Sequence, residues 1–358
     1  MIPYLQALQP YLLPGFVAFA LTFVLTAFSL YVFPRLGLLD KPKKYGLKRA
    51  PIPYSGGLII FAVFLICLGI FMDFDKHLWG VVIAATMIVT VSFLDDRIGL
   101  SPILRLGVQL LAAITVVLAG VGIASVTNPF GGLIYLDTYE IPIAIGDMVY
   151  NFTILADLFT ILWIILLMNT LNWMDGVPGI VSGLTAIGSV VMFILAIRPN
   201  FHYIDQADVA LLAVILAGCA LAFWLFDFTP AKILMGDTGS MFLGFMLATL
   251  AIFSGGKIAT ALLIIGFPIL DALWVIGRRL YQRKSPFRGD LRHIHHRLMK
   301  AGFSERQAVF FIYTVSVIFG GTALFLGSAQ KMVALSVMLV LMVILGGLVV
   351  MKGRTNKT

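Results

Sequence analysis

Long runs of apolar residues, broken by short polar connections, follow one another along this whole chain. A helix needs about 20 apolar residues to cross the hydrocarbon core of a bilayer. The runs therefore predict a single all-α domain over residues 1–358, with eleven membrane-spanning helices. The predicted spans are 12–33, 54–72, 78–94, 103–122, 154–172, 177–197, 208–226, 238–253, 259–277, 307–327 and 331–351.

Two segments of this pattern need a separate interpretation. Residues 1–9 carry no Lys or Arg, and the apolar run after them is too long for a secretory signal, so it is interpreted as a retained first span. The long connection 123–153 instead alternates apolar residues, such as Ile134, beside Gly131 and Gly132. This alternation is typical of paired strands and predicts a small β-hairpin on the outer side of the membrane.

Composition places the protein in lipid. Hydrophobic residues make up 60% of the chain and charged residues only 12%, about half the share that soluble domains have. So little polar surface cannot cover a water-soluble globule, which excludes the soluble classes. Cys67 and Cys219 lie far apart inside apolar runs, and they are interpreted as buried hydrophobes rather than as a disulfide or a metal site.

The net charge of +8 is distributed unevenly between the two sides of the predicted bundle. With the N-terminus outside, 21 of the 25 Lys and Arg residues fall in inner connections or in the C-terminal tail. The four on the outer side are Lys76, Arg198, Lys257 and Lys331. Because basic connections stay in the cytoplasm, this bias predicts an outer N-terminus and an inner C-terminus.

Acidic residues and histidines collect on the same inner side. Ionisable groups at the edge of the hydrocarbon are costly when they are unpaired, so such a collection is a functional-site hypothesis. The residues come from four separate connections that share one membrane depth. They are Asp95, Asp96, Asp175, Asp237, Asp290, His293, His295 and His296.

The acids at two span ends favour a cation. Asp95 and Asp96 are adjacent, and both stay ionised only beside a cation such as Mg²⁺, which binds carboxylate and phosphate oxygens together. The alternative is an interfacial cap neutralised by Arg97. Asp237 is flanked by glycines at a helix start, where backbone N–H groups favour phosphate and a metal would bridge the two anions. An ordinary N-cap is the alternative there.

A polar stripe ends the fifth span. Asn169, Asn172 and Asp175 are three residues apart, so on a helix they lie on one face and point into the bundle. The stripe either serves the site or supplies hydrogen bonds between helices. The proline-containing basic loop 41–57 is likewise either a phosphate-binding loop or a loop that sets topology.

The basic segment 288–297 combines arginines with three histidines. On a helix, Arg292 with His296 and His293 with Arg297 form i, i+4 pairs, and donors of this kind suit a pyrophosphate. A zinc site and a basic face against anionic lipid are the alternatives.

Four strings, taken together and in this order, carry a family resemblance. They are Phe-Leu-Asp-Asp-Arg-Ile-Gly-Leu, Asn-Trp-Met-Asp-Gly, Met-Gly-Asp-Thr-Gly-Ser and His-Ile-His-His-Arg-Leu, and the string at 51–57 resembles a first inner-loop motif. On these strings the chain resembles the polyprenyl-phosphate N-acetylhexosamine-1-phosphate transferases over about residues 41–309. The histidine string resembles the branch that initiates O-antigen, enterobacterial common antigen and teichoic-acid linkage units.

The resemblance implies an enzyme of the bacterial inner membrane with its active site at the cytoplasmic face. The implied reaction transfers N-acetylglucosamine 1-phosphate from UDP-N-acetylglucosamine to undecaprenyl phosphate and releases UMP. The lipid-linked product starts cell-envelope glycan synthesis, including that of lipopolysaccharide. Direct attack by the lipid phosphate and a covalent aspartyl intermediate are both compatible with the residues. The implied partners are a UDP-sugar, a polyprenyl phosphate and the bilayer, with no nucleic acid, and a homodimer is left open.

The resemblance also implies residue roles. Asp237 is the first ligand of Mg²⁺, with Mn²⁺ as an alternative ion, and Asp95 and Asp96 either bind the metal or deprotonate the lipid phosphate. The residues implied to bind substrate are Lys48, Asn172, Asp175, Asp290, Arg292, His293, His295, His296 and Arg297.

Three positions depart from the family pattern. Pro178 stands where a second Asp is usual, Leu234 where an aromatic is common, and Asp227 where Asn is common. The first two are nucleotide-side positions, so another UDP-N-acetylhexosamine donor, including the peptidoglycan precursor, is the alternative substrate.

Two rival functions remain from other classes. A transporter or lipid flippase places ionisable groups near the bilayer midplane, whereas these acids crowd at one face. A CDP-alcohol phosphotransferase needs aspartates spaced along one helix, and no third acid follows Asp95 and Asp96.

Overall fold

The computed structural model describes residues 2–42, 49–128, 132–145, 148–198, 206–255, 257–283 and 293–355. Within these ranges the chain forms twelve helices and four short strands. The helices are α1 (Ile2–Arg35), α2 (Gly57–Phe71), α3 (Lys76–Ile98), α4 (Pro102–Leu118), α5 (Ile154–Met174), α6 (Ile180–Ala196), α7 (Ala207–Asp227), α8 (Gly236–Phe253), α9 (Ile258–Tyr281), α10 (Ile294–Lys300), α11 (Glu305–Ala323) and α12 (Ser328–Thr355). The strands are β1 (Ser125–Thr127), β2 (Leu133–Tyr135), β3 (Glu140–Ile145) and β4 (Met148–Thr153).

Each of the eleven predicted apolar runs lies on a helix, so the helical, polytopic fold class is confirmed. Seven of the described helices are long and apolar enough to cross a membrane, namely α1, α3, α5, α7, α8, α9 and α12. α2, α4 and α6 are shorter apolar helices. The protein is therefore a multi-pass membrane protein.

The long connection between α4 and α5 contains two hairpins instead of the single predicted one. β1 pairs antiparallel with β2, and β3 pairs antiparallel with β4. In the second hairpin the register runs from Glu140 opposite Thr153 to Ile145 opposite Met148. Both hairpins follow the C-terminal end of α4, which places them at the opposite end of the bundle from the α3–α4 connection.

α8 is the central helix of the bundle. Nearly all its side chains are buried, and it contacts α2, α3, α5, α6, α7 and α9. Small residues permit this close packing: a Cβ atom on Gly57 of α2 would lie 2.2 Å from the backbone nitrogen of Gly239, and one on Gly244 would lie 2.8 Å from Cα of Met168. The polar first turn of α8 is thus held at the centre of one end of the bundle.

The connection between α1 and α2 is pinned to the connection between α7 and α8. The backbone N–H of Leu234 donates to the carbonyl of Pro53 at 2.9 Å, and Gly56 N–H donates back to the carbonyl of Leu234 at 2.9 Å. Gly57 N–H donates to the carbonyl of Met235 at 3.0 Å. This short backbone ladder brings the residues before α2 against the first turn of α8.

The basic segment is less helical than predicted. α10 begins at Ile294, and His293 is its N-cap residue, because the carbonyl of His293 accepts the N–H of Arg297 while its own backbone is extended. The predicted i, i+4 pairing of side chains along a helix from Arg292 is therefore wrong for His293. Arg292 itself lies outside the described residues.

Candidate active site

Four helix ends meet at one end of the bundle. They are the C-terminal ends of α3 and α5 and the N-terminal ends of α4 and α8. Each carries polar side chains within or next to its terminal turn at that end. The helices thus gather residues that are up to 142 positions apart in the sequence.

Arg105 joins two of the predicted site acids. One guanidinium nitrogen lies 2.8 Å from a carboxylate oxygen of Asp95, and the other lies 2.8 Å from a carboxylate oxygen of Asp237. The same side chain lies 3.5 Å from the amide oxygen of Asn172. Asp95 and Asp237 therefore face a single cation, as the proximity of two carboxylates requires.

Asp96, the next residue after Asp95, has entirely different surroundings. Its carboxylate accepts the backbone N–H groups of Asp237 at 3.0 Å and Thr238 at 3.2 Å, and the Thr238 hydroxyl at 2.6 Å. The hydroxyls of Tyr54 and Ser55 donate to it at 3.2 and 3.3 Å. Asp96 thus caps α8 from another helix, where unpaired N–H groups favour an anion.

A glycine at the start of α8 makes this approach feasible. Gly236 has φ +72°, and a Cβ atom there would lie 2.5 Å from a carboxylate oxygen of Asp96. Any other residue would therefore suffer both backbone strain and a clash.

Two of the alternative interpretations from sequence are now excluded. Asp237 is not the N-cap of α8, because Met235 holds that position and the Asp237 side chain pairs with Arg105. Arg97 does not neutralise the two adjacent acids, since its guanidinium donates to the carbonyl of Gly37 at 2.9 Å.

The asparagine stripe of α5 divides between two roles. Asn169 donates to the amide oxygen of Gln109 on α4 at 2.7 Å, which is a hydrogen bond between helices. Asn172 donates to the hydroxyl of Ser240 on α8 at 3.0 Å and lies beside Arg105. Asn172 therefore belongs to the acid cluster, which consists of Asp95, Asp96 and Asp237 around Arg105. Asn169 instead contributes to the packing of the bundle.

Asp175 follows α5 as its C-cap residue. Burial raises the pKa of its carboxyl group well above the usual range, and the nearby carboxylates of Asp227, Asp237 and Asp96 raise it further. Asp175 is therefore close enough to the other acids to sense their charge.

The histidine segment packs onto this end of α5. A Cβ atom on Gly176 would lie 3.0 Å from Nε2 of His295 and 3.3 Å from a ring nitrogen of His296. The ring of His293 stacks on Trp173, with 5.9 Å between centroids. The three imidazoles therefore lie beside Asp175 and the acid cluster.

His295 is the most buried of the three histidines, with 0% of its surface exposed. Among the described residues neither of its ring nitrogens has a hydrogen-bond partner. Burial lowers the pKa of His295 well below its usual range, and the charges of His296 and His293 lower it further. His295 is thus a neutral imidazole.

Three predicted substrate-binding residues, Lys48, Asp290 and Arg292, lie outside the described residues. The others are placed. His296 lies 4.2 Å from the His295 ring, centroid to centroid, and Arg297 is partly exposed on α10.

A family model described as glycosyl transferase family 4 matches residues 78–255, from α3 to the end of α8. Over this stretch the chain is similar to that family. The matched region contains Asp95, Asp96, Arg105 and Asp237, whereas the histidine segment lies beyond it.

Curated relatives align with this chain over most of the relatives' own length. A probable undecaprenyl-phosphate N-acetylglucosaminyl 1-phosphate transferase of Bacillus subtilis is 28% identical over 90% of this chain and 87% of its own. A decaprenyl-phosphate N-acetylglucosaminephosphotransferase of Mycolicibacterium smegmatis is 28% identical over 93% and 86%. An undecaprenyl-phosphate alpha-N-acetylglucosaminyl 1-phosphate transferase of Salmonella typhi is 29% identical over 80% and 76%. The resemblance inferred from the four strings is confirmed.

Some of the donor atoms at this end of the bundle, the carboxylate oxygens, suit a hard divalent cation. Within the described ranges, no three His, Cys, Asp or Glu side chains are spaced to hold one metal ion. Mg²⁺, however, is commonly bound by one or two carboxylates together with substrate phosphates and water. Asp95 and Asp237 supply two such carboxylates through the oxygens that face Arg105, while the other oxygen of Asp95 accepts the Leu100 N–H at 2.6 Å. Both oxygens of Asp96 are engaged by backbone N–H and hydroxyl donors.

Sequence reasoning missed three residues of this end of the molecule. The sequence pattern assigns Arg105 no role beyond its contribution to the charge bias that sets topology. Asp271 lies within the apolar run that forms α9, where a single acid indicates a functional or paired carboxylate. Asp227 was noted only as a departure. It accepts the N–H of Gly179 at 3.1 Å and the hydroxyl of Ser182 at 2.8 Å, so it caps α6.

Proposed function

We propose that this protein transfers N-acetylglucosamine 1-phosphate from UDP-N-acetylglucosamine to undecaprenyl phosphate. The observation that carries the proposal is the sharing of Arg105 by Asp95 and Asp237, which come from different helices. It is supported by the relatives, whose names describe this transfer to a polyprenyl phosphate. A site at the end of a helix bundle also suits the meeting of a lipid phosphate with a water-soluble nucleotide sugar.

The proposed reaction is a displacement at phosphorus. An oxygen of the lipid phosphate forms a bond to the β-phosphorus of the donor, and the bond from that phosphorus to the oxygen bridging the α- and β-phosphates breaks. UMP leaves with that oxygen and its electron pair. Because two anions must approach each other, positive groups have to stabilise the charge that develops.

The residues of the cluster divide this work. The guanidinium of Arg105 supplies a fixed positive charge with several N–H donors, which match phosphate oxygens. His293, His296 and Arg297 are proposed to hold the diphosphate and the sugar from the other side of Asp175. Asn172, which lies 3.5 Å from Arg105, is proposed to position the nucleotide part.

Mg²⁺ is proposed as the cofactor, with Mn²⁺ as the alternative ion, and Asp95 and Asp237 as the residues that would hold it. When bound, the ion would neutralise the diphosphate and the leaving UMP. Asp96 is better suited to keeping the α8 N-terminus in place, because protein donors already engage both its oxygens.

The proposed location is the bacterial inner membrane, with the site facing the cytoplasm. The support is the distribution of Lys and Arg along the sequence, which assigns all but four of the 25 to the predicted inner side, where the acids are also predicted to lie.

A donor screen tests the proposal. Purified protein with undecaprenyl phosphate and Mg²⁺ is supplied in turn with UDP-N-acetylglucosamine, UDP-N-acetylgalactosamine and the UDP-linked peptidoglycan precursor. UMP release and the mass of the lipid product are measured. The highest turnover is expected with UDP-N-acetylglucosamine, and a preference for another sugar would move the assignment within the same chemistry. Absence of UMP with every donor would contradict the proposal and favour a flippase or transporter.

A further inference from the structure

A buried carboxylate on α9 fastens the first histidine of the histidine segment. Asp271 is only 1% exposed, and one of its oxygens lies 2.7 Å from Nδ1 of His293. Its other oxygen accepts the backbone N–H of Ile294 at 3.1 Å. A carboxylate buried in a membrane protein is costly unless it is paired, so both contacts contribute to keeping it there.

The contact determines which nitrogen of His293 carries a proton. A carboxylate only accepts hydrogen bonds, so Nδ1 must be the donor, and Nε2 is the ring nitrogen left for another partner.

Two aromatic neighbours fix the plane of this ring. Trp173 stacks on His293 at 5.9 Å with 27° between the planes, and the His295 ring is nearly parallel to it at 6.0 Å. Trp173 directly follows Asn172, which contacts Arg105 and Ser240. The fixed imidazole is therefore packed against the end of α5 that carries Asn172 and Asp175.

The next histidine of the segment, His295, lacks such a carboxylate contact among the described residues. His295 is buried with both ring nitrogens unpartnered in the described part of the chain. Burial of this ring lowers the pKa of His295 and so favours the neutral form.

We propose that Asp271 is a positioning residue of the transferase that acts through His293. Asp271 engages Nδ1 of His293 and holds the ring against Trp173, so that the Nε2 edge of the ring contacts the bound sugar nucleotide. This inference rests on the proposed function. It also assigns different roles to neighbouring histidines of one string.

A double-mutant cycle tests whether Asp271 acts through His293. Asp271→Asn, His293→Gln and the double variant are purified, and kcat and KM for UDP-N-acetylglucosamine are measured. Asp271→Asn is expected to lower kcat/KM by about 10- to 100-fold, the range of a charge-assisted hydrogen bond, with most of the change in KM. In the His293→Gln background, the same substitution is expected to change kcat/KM by less than about 3-fold.

Two control variants separate this role from a structural one. Asp157→Asn neutralises another buried acid, at the opposite end of α5, and is expected to leave kcat/KM within about 3-fold of wild type. Asp271→Glu keeps the charge and is expected to retain more activity than Asp271→Asn. If Asp271→Asn does not fold, the cycle is run with Asp271→Glu.

The outcomes distinguish the two proposals. Equal losses from the Asp271 substitution in both His293 backgrounds, or no loss in either, would overturn the positioning role while the transferase assignment stands. Wild-type protein that releases no UMP from any UDP-sugar would overturn both.

Discussion

Asp95 and Asp96 are consecutive residues of one helix end, and yet the bundle uses them in opposite ways. Two backbone N–H groups and three hydroxyls donate to Asp96, so its negative charge stabilises the position of the α8 N-terminus. Asp95 accepts only one backbone N–H, that of Leu100 at 2.6 Å, among the described contacts, and its other oxygen faces the guanidinium of Arg105, which it shares with Asp237.

The two acids differ in which of their protein contacts a bound substrate or metal ion could replace. The donors of Asp237 and Thr238 cannot move away from Asp96 without unwinding the start of α8, and Tyr54 and Ser55 lie in the segment that the backbone ladder holds against that turn. Arg105 is a long side chain, and its contacts with Asp95 and Asp237 exchange for a metal ion or a phosphate at much lower cost. The acids held by Arg105 are therefore expected to affect turnover, whereas the acid held by the helix is expected to affect stability.

The largest effect is expected at Asp237. Asp237→Ala removes a carboxylate from the shared cluster and should lower transfer by at least about 1000-fold, because charge stabilisation in a dehydrated site is lost. The thermal midpoint of the purified protein should stay close to that of wild type. The matched control is Asp208→Ala, an exposed acid in the first turn of α7 at the other end of the bundle. Near-normal turnover of Asp237→Ala would show that the assignment of this acid is wrong.

The next effect separates the adjacent acids by stability. Asp96→Asn places an amide N–H₂ against donors and should cost about 3 kcal/mol of unfolding free energy. Asp95→Asn weakens one contact with Arg105 and should cost about 1 kcal/mol or less. Unfolding in an SDS titration measures both. Equal destabilisation by the two substitutions would remove the distinction between the acids.

A smaller effect is expected from the packing that supports Asp96. Gly57→Ala forces a Cβ atom to within 2.2 Å of the Gly239 backbone, so α2 and α8 must separate, at a cost of about 2 kcal/mol. Gly69→Ala on the same helix has no atom within 4 Å and should change stability by less than about 1 kcal/mol. The same SDS titration compares them, and a Gly57→Ala protein as stable as Gly69→Ala would contradict the close contact.

The smallest effect concerns pH. The ordinary pKa of a histidine is 6.5, and that of His295 is well below it in the folded protein. Below pH 6.5 the unfolded chain therefore binds a proton that folded His295 does not, so stability falls as the pH drops towards the folded pKa. The slope from one group is at most about 1.4 kcal/mol per pH unit. His295→Gln should flatten the dependence of stability on pH between 6.5 and 5, and an unchanged slope would count against a neutral buried imidazole.

The sequence predicted the helices well because membrane spans are local. Each apolar run lies on its own helix, and the alternating segment after α4 forms strands. The helix ends are less local, since the start of α10 at Ile294 depends on the capping role of His293 and its contact with Asp271.

The site could be predicted only as a set of residue types. The strings identified Asp95, Asp96 and Asp237 as a group, but their separate environments depend on Tyr54, Thr238 and Arg105, which are distant in sequence. Nothing along the chain pairs Asp271 with His293, 22 positions later, because that contact exists only after α9 and α10 have packed.

The central claim is that the end of the bundle holding Asp95, Asp237 and Arg105 transfers a phosphosugar. Isotope exchange between labelled UMP and UDP-N-acetylglucosamine, in purified protein with undecaprenyl phosphate and Mg²⁺, measures this most directly. Label is predicted to enter UDP-N-acetylglucosamine with wild-type protein and not with Asp237→Ala. Exchange that is absent with every UDP-sugar, or equal in the two proteins, would contradict the account.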